Sequence, residues 1–423
     1  GPEIVQIHFG GGTPNSFNVG QFARLLATVQ RRFRVAEAGR LELSMEVDPR
    51  ICEPSDLFGL RALGFNRLSF GIQDTNEDVQ RAINRVQSGD HIAMLTATAR
   101  RAGFASLNYD LVYGLPLQTP ARLAGTLDFV LDQKPERVAA YHYAHLPQRF
   151  PAQGAISEAD LPDAEQRQVL RQMIHGRLTL AGYQAIGLDH YALPTDPLAE
   201  AHRDGTMRRN FQGYSTMQGC DLIGVGASSI SQVNGCFSQN VVNVESYLEA
   251  IEQGRLACAR GYRQTADDRL RADIIESIMC RGEVDFERLG RQHGEALADR
   301  LAPGLHQQRV AERDIAYGKA AVPEEDGLVV ALAAGLQARD DLPQLGVQVL
   351  LGQAVAIHVL AQRAEGQALA ALAPVVHHHL GHDVGERKFH RTHRAVWHDE
   401  GARFDPFGFQ HRRRLVEPGG LDN

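Results

Sequence analysis

The sequence predicts a parallel α/β sheet or barrel over residues 1–194, on three observations. Short apolar strands alternate with helical stretches, which is the pattern of βαβ units with right-handed crossovers. The strands stop at polar residues. The earliest of them stops at Gly10-Gly11-Gly12-Thr13-Pro14.

In chain order the strands are expected at 4–9, 41–46, 67–72, 106–112, 137–143 and 183–188. Helices are expected between them at 19–33, 54–63, 76–82, 88–102, 120–131 and 163–181, where apolar residues recur at spacings of three and four. Glu46 ends one strand, Gln73 and Asp74 follow the next, Asp110 lies near the end of another, and His142 to His145 cluster after the fifth. In an α/β barrel such residues converge at the C-terminal face of the strands, where active sites sit. Each also has a plainer reading. Glu46-Val47-Asp48-Pro49 reads equally as a helix-capping turn, and Asn108-Tyr109-Asp110 as a loop bonded to itself. The glycine triplet reads as a tight turn or as a place where backbone approaches a ligand. It is neither a P-loop nor a dinucleotide fingerprint.

Residues 195–290 read as polar loops, with Arg208-Arg209-Asn210-Phe211-Gln212-Gly213-Tyr214 and then Gly224-Val225-Gly226-Ala227-Ser228-Ser229-Ile230-Ser231. The second run suits a bulged edge strand or a narrow wall against a flat ligand. Residues 291–423 change character. Eleven of the 18 histidines lie from His293 onward, including His377, His378 and His379, amid poorly punctuated Ala/Leu/Gln/Arg tracts. We read this tail as aberrant and out of frame from near 290–295. Gly1, directly before a strand, reads as a cut within a domain, hence a fragment.

A net charge of −7 and no apolar run of spanning length give no reason to expect nucleic acid or membrane as a partner; with no signal peptide the chain is expected to be cytoplasmic, and a monomer is expected. The five cysteines, at 52, 220, 236, 258 and 280, include no CxxC pair and are neither a disulfide framework nor a zinc site.

Taken together, Phe9-Gly10-Gly11-Gly12-Thr13-Pro14, Glu46-Val47-Asp48-Pro49-Arg50, Phe70-Gly71-Ile72-Gln73-Asp74, Asn84-Arg85, Tyr109-Asp110-Leu111-Val112-Tyr113-Gly114-Leu115-Pro116 and Tyr143-Ala144-His145-Leu146-Pro147 occur in a familiar order. The chain resembles the radical S-adenosylmethionine (SAM) enzymes, and most closely the oxygen-independent coproporphyrinogen III oxidases, from residue 4 to about 290. The resemblance implies a partial (β/α)6 TIM-like radical SAM barrel, here lacking its first strand, followed by a smaller mainly helical region. It implies SAM and a [4Fe–4S] cluster as cofactors, coproporphyrinogen III as substrate, an electron donor for the cluster and a terminal electron acceptor. The implied reaction is oxidative decarboxylation of two propionate side chains to vinyl groups.

By the same resemblance, Gly11, Gly12 and Thr13 hold SAM, as do Glu46, Gln73, Arg85, Asp110, Ala144 and Ile230, some of them serving a second SAM. Arg85 suits a bidentate fork on the SAM carboxylate. The family's CxxxCxxC has no counterpart among the five cysteines, so this polypeptide as given is expected to bind no cluster and to be inactive. Two alternatives share the scaffold. A haem chaperone of this kind carries His-Asn and a Tyr-Trp pair where this chain has Arg209-Asn210-Phe211-Gln212-Gly213-Tyr214; a radical SAM haem methyltransferase shares the SAM residues.

Overall fold

A computed structural model of the chain describes residues 3–294 and 356–362. It opens with β1 (Glu3–Gly10), α1 (Val19–Arg32), the two-residue β2 (Arg34–Val35) and β3 (Glu42–Val47). Then come α2 (Pro54–Ala62), β4 (Arg67–Gln73), α3 (Glu77–Ala82), α4 (Gly89–Ala102), β5 (Ser106–Tyr113), α5 (Pro120–Gln133) and β6 (Arg137–His142). The helix starts carry the expected caps: Asn18, Asn76, Ser88 and Thr119 each accept a bond from a backbone N–H of the first turn. Strands β1, β3, β4, β5 and β6 pair in that order, all parallel.

Alternation along these strands decides what each face does. Ile7, Phe9, Leu43, Met45, Leu68, Phe70, Leu107, Tyr109 and Val138 are buried in one core with Phe22, Leu57, Leu95 and Leu127 of the covering helices. Phe9 meets Phe22 edge-on, with ring centroids 5.1 Å apart. The alternate positions are polar and bond to one another across strands on the other face, as His8 does with Ser44 and Ser69 with Asp110. That second face carries the site.

The sixth expected strand departs from the prediction. After α6 (Ala164–Leu180), β7 (Gln184–Ile186) turns at Gly187 into β8 (His190–Ala192), and it is β8, antiparallel, that pairs with β6. Gly187 has φ +59°, the left-handed turn a glycine allows, so the chain reverses within three residues.

Past α7 (Pro197–Arg203), the loop-like stretch is more ordered than its composition suggests. Strands β9 (Arg208–Asn210) and β10 (Gly213–Ser215) form a separate hairpin. Strands β11 (Cys220–Val225), β12 (Ile230–Val233), β13 (Cys236–Asn240) and, after α8 (Val244–Glu252), β14 (Cys258–Arg263) make an antiparallel meander. Two helices follow, α9 (Ala266–Arg281) and α10 (Phe286–His293).

Of the tail expected to be aberrant, residues 356–362 form a strand, β15 (Ala356–Gln362), lying antiparallel between β1 and β11. It occupies the β1 edge, where the resemblance would put one more parallel strand; an open apolar edge templates pairing. The histidine run at 377–379 lies outside the described residues. Two compact units result. One, which among the described residues takes in 3–284 and 356–362, holds the sheet; the other contains α10.

Candidate active site

The site is built on the C-terminal ends of the parallel strands. β1 ends at Gly10, and the chain then turns through Gly11 (φ +68°) and Gly12 (φ +41°), a backbone path open to glycine and strained for other residues. A Cβ on Gly10 would come within 2.8 Å of His8 Nε2 and 2.9 Å of Glu46 Oε1. The glycine is what lets the Glu46 carboxylate lie against the turn. There the Gly11 N–H donates to Glu46 Oε2 at 3.1 Å, and His8 Nε2 stands 3.6 Å from Oε1. Thr13 closes the turn by accepting from the Ser16 N–H at 3.0 Å. Asn15 ties it to the next strand end, donating to the Asp48 carbonyl and accepting from the Asp48 N–H.

Glu46 lies against this turn, and on the neighbouring strand end Gln73 and Arg85 meet at Gly71. Gln73 has φ +63° at a break in the β4–β5 register, a conformation costing on the order of 1–2 kcal/mol for a residue with a Cβ. Gly71 leaves room for it, since a Cβ there would sit 2.9 Å from Arg85 Nη2 and 3.0 Å from Gln73 Nε2. Arg85 donates to the Gly71 carbonyl and lies 3.5 Å from Asp48 Oδ1, while its Nε is buried without a partner among the described residues. Burial would raise the Asp48 carboxyl, but the bond from Arg50 and the Arg85 charge hold it below the usual carboxylate range.

Asp110 accepts from Ser69 Oγ at 2.7 Å and from Asn108 Nδ2 at 2.8 Å. Burial nevertheless pushes its carboxyl up to about 6, with the nearby Glu46 charge adding to the rise. Two further expected positions are placed differently. The Ala144 carbonyl, beyond β6, accepts from Gln153 Nε2 at 3.1 Å. Ile230 opens β12, its backbone so close to Gly224 that a Cβ there would be 2.5 Å from the Ile230 carbonyl.

Asp74, beside Gln73 in sequence, is structural. It is wholly buried and accepts from the Asn76 N–H, Gln118 Nε2 and Thr126 Oγ1, joining the end of β4 to α5.

Two groups of residues escaped the sequence reading. At the N-terminal ends of the strands, Arg137 pairs with Asp196 at 2.7 Å, Arg67 reaches Asp196 at 3.5 Å, and Arg67 also bonds Glu42 at 3.3 Å. Beside the site stands an aromatic wall. The Tyr141 ring meets His190 with centroids 5.9 Å apart, His190 meets Tyr214 at 5.0 Å, and His190 Nδ1 lies 2.6 Å from Asp189 Oδ1. The signal for the first group was in plain sight: Glu42, Arg67 and Arg137 each open a strand that is otherwise largely apolar or small, where a charge needs a partner.

The residues at the turn fit SAM. The buried, unpartnered Arg85 Nε is a donor waiting for an acceptor, and the close approach at Gly10 and Gly11 leaves backbone and Glu46 facing the same space. They do not fit an iron–sulfur cluster. The described residues contain no group of three His, Cys, Asp or Glu that could hold a metal, and burial pushes the Cys52 and Cys280 thiols up to about 12 and about 11.

Residues 1–130 match the family described as the Radical SAM superfamily. The chain is 44% identical over 306 residues to the oxygen-independent coproporphyrinogen III oxidase of Escherichia coli, covering 72% of this chain and 66% of that protein. It is 41% identical over 291 residues to that of Pseudomonas aeruginosa, covering 69% and 63%. To that of Bradyrhizobium diazoefficiens it is 42% identical over 307 residues, covering 71% and 68%. Among solved structures it resembles the E. coli coproporphyrinogen III oxidase HemN, titled a radical SAM enzyme, with TM-score 0.71 and 42% identity over 74% of this chain and 71% of that one. The chain thus spans about two thirds of the length of the curated relatives it matches.

Proposed function

The chain belongs to the oxygen-independent coproporphyrinogen III oxidase family of the radical SAM superfamily, and from that premise we propose that its strand ends bind SAM beside coproporphyrinogen III. The reaction proposed for the whole protein is oxidative decarboxylation of two propionate side chains to vinyl groups, giving protoporphyrinogen IX for haem biosynthesis. SAM, if bound at these strand ends, would supply radical hydrogen-abstraction chemistry to the propionate side chains. For the whole protein, whose length this chain covers by about two thirds, the same proposal includes a [4Fe–4S] cluster, which the described residues do not fit, with its electron donor, a terminal electron acceptor, a monomeric state and a cytoplasmic setting. So does the division of the chain at 194 and 290.

The observation that carries the reading is the Glu46 carboxylate held against the glycine turn by the Gly11 N–H. A carboxylate fixed in that way accepts from ribose hydroxyls without reorganising, and the glycine backbone around it leaves room for the nucleoside. Arg85 supplies the cation that a carboxylate of SAM requires. Gln73, in its left-handed conformation, adds an amide to the same group, and Thr13 closes the glycine end. Asp110, neutral below about pH 6 and charged above, adds a second carboxyl next to Glu46. Backbone at Ala144 and Ile230 completes the proposed set as partners for the adenine edge. Among the described residues no helix is long and apolar enough to cross a membrane.

Titration calorimetry of the 423-residue chain with SAM or S-adenosylhomocysteine tests this. Glu46→Ala is expected to weaken binding about tenfold or more, the loss of one charge-assisted bond. Undiminished affinity would refute the assignment. For the whole protein, turnover of coproporphyrinogen III should release carbon dioxide and leave vinyl groups; a methylated ring, or stable haem binding without turnover, would point to the other members of the scaffold.

A further inference from the structure

The β9–β10 hairpin holds a cation that makes no ion pair with a carboxylate among the described residues. Its two neighbouring arginines are treated unequally. Glu276 of α9 accepts from Arg208 Nη1 at 3.1 Å through one oxygen and from the Arg209 backbone N–H at 3.2 Å through the other. Glu276 is engaged by the Arg208 side chain and the Arg209 main chain, and among the described residues no hydrogen bond or ion pair joins the Arg209 guanidinium to a carboxylate. That group lies over the Tyr214 ring, 5.6 Å from its centroid, with Nε buried and unpartnered among the described residues. A second buried donor without a partner, Gln212 Nε2, lies three residues further on in the same hairpin.

The hairpin is not free to turn away and solvate this charge. The Tyr214 hydroxyl accepts from the Leu188 N–H at 3.0 Å and donates to the Met279 carbonyl at 3.1 Å. Through Tyr214 and His190 the guanidinium adjoins the aromatic wall beside the site. A partly buried Arg with an unused N–H needs an anionic acceptor that can reach it.

We propose that Arg209 is a specificity-determining residue that grips a propionate carboxylate of the tetrapyrrole substrate. The proposal rests on the substrate reading above. The carboxylate of SAM is the other source of the same chemistry, and it is assigned to Arg85, which lies beside Asp48 and Gln73 with its own Nε unused among the described residues.

The test uses the full chain and two stable probes, coproporphyrin III as the free tetraacid and its tetramethyl ester, followed by fluorescence quenching, with S-adenosylhomocysteine affinity read in parallel. The native chain is expected to prefer the tetraacid over the ester. Arg209→Gln should weaken tetraacid binding about tenfold or more while the ester and S-adenosylhomocysteine stay within about twofold, so that the acid-to-ester ratio collapses. Arg209→Lys, which keeps the charge without the planar fork, should fall between the two. A merely structural role would weaken all three probes together and overturns the proposal, as does a variant whose acid-to-ester ratio is native. Loss confined to S-adenosylhomocysteine reassigns Arg209 to SAM. A native chain that binds the tetraacid no better than the ester sinks both this proposal and the substrate reading, whereas a native preference that survives Arg209→Gln sinks the arginine alone.

Discussion

Asp110 shows how a single position mixes the demands of folding and binding. Two donors, Ser69 Oγ and Asn108 Nδ2, favour its charged form, yet burial outweighs them and lifts the carboxyl to about 6. In the unfolded chain an aspartate titrates near pH ~4. Between those values the native state holds a proton that the unfolded state has lost, so the contribution of Asp110 to stability declines as pH rises through that window and stays low above it. Asp110→Asn removes the burden of the buried charge, and its amide oxygen can still accept from Asn108 Nδ2. Thermal melts of the ligand-free chain should show the variant more stable than the parent at pH 7.5, by on the order of 2 kcal/mol, and little different at pH 4. An unchanged or lower melting temperature at pH 7.5 would contradict this. The candidacy of Asp110 was legible because it is a charge at a strand end; its elevated titration was not, because that depends on what closes over it. Arg209 is similar: the charge is visible in the sequence, but Glu276 being taken by its neighbour is a fact of the packing of α9 against β9.

Among the elements, the short hairpin β9–β10 depends most on a single side chain. Three residues per strand are too few to hold a two-stranded ribbon in water. Tyr214 anchors it, bonding the turn after β7 on one side and the end of α9 on the other. Tyr214→Phe leaves the Leu188 N–H without this acceptor and the Met279 carbonyl without this donor, and should cost about 1–3 kcal/mol, read as a lower denaturant midpoint. Because the hairpin carries Arg209, coproporphyrin affinity should fall with it while S-adenosylhomocysteine affinity holds; full stability in Tyr214→Phe would show the anchor to be dispensable. The parallel strands and their helices were legible to within a few residues, since their periodicities and caps are local signals. The hairpin and the β11–β14 meander were not, because runs such as Gly224-Val225-Gly226-Ala227-Ser228-Ser229 lack the alternation that marks a half-buried strand. The antiparallel entry of β8 beside β6 was likewise hidden, being set by a turn at Gly187 rather than by apolar pattern.

Across the whole molecule the two ends of the parallel sheet do different work. Glu46, Gln73 and Asp110 stand at or near the C-terminal ends of β3, β4 and β5, whereas Glu42, Arg67 and Arg137 open β3, β4 and β6, closed by Asp196 at the start of α7. In barrels of this kind the first end carries chemistry and the second carries stability. Asp196 decides the second. Burial alone would raise its carboxyl, but the charges of Arg137 and Arg67 and the bonds from Arg137 and the Leu198 N–H hold it below the usual range. A lowered native pKa contributes stability that is present above the unfolded value near ~4 and is lost as pH falls below it. Asp196→Asn can keep the cap on Leu198 but removes the charge and turns the oxygen that accepts from Ser106 Oγ into a donor, leaving Arg137 and part of Arg67 uncompensated in a buried setting. The expected loss is about 3–5 kcal/mol at neutral pH, with the parent's extra stability over the variant shrinking as the pH falls through the acid range. Calorimetric binding of S-adenosylhomocysteine below the variant's melting temperature should remain within about twofold of the parent, since one tenfold step is ~1.4 kcal/mol and none of the four charges touches the glycine turn. Glu46→Ala should do the reverse, keeping the melting temperature and losing the ligand. If instead Asp196→Asn abolished binding in the folded chain, the separation of the sheet into a stabilising end and a binding end would be wrong.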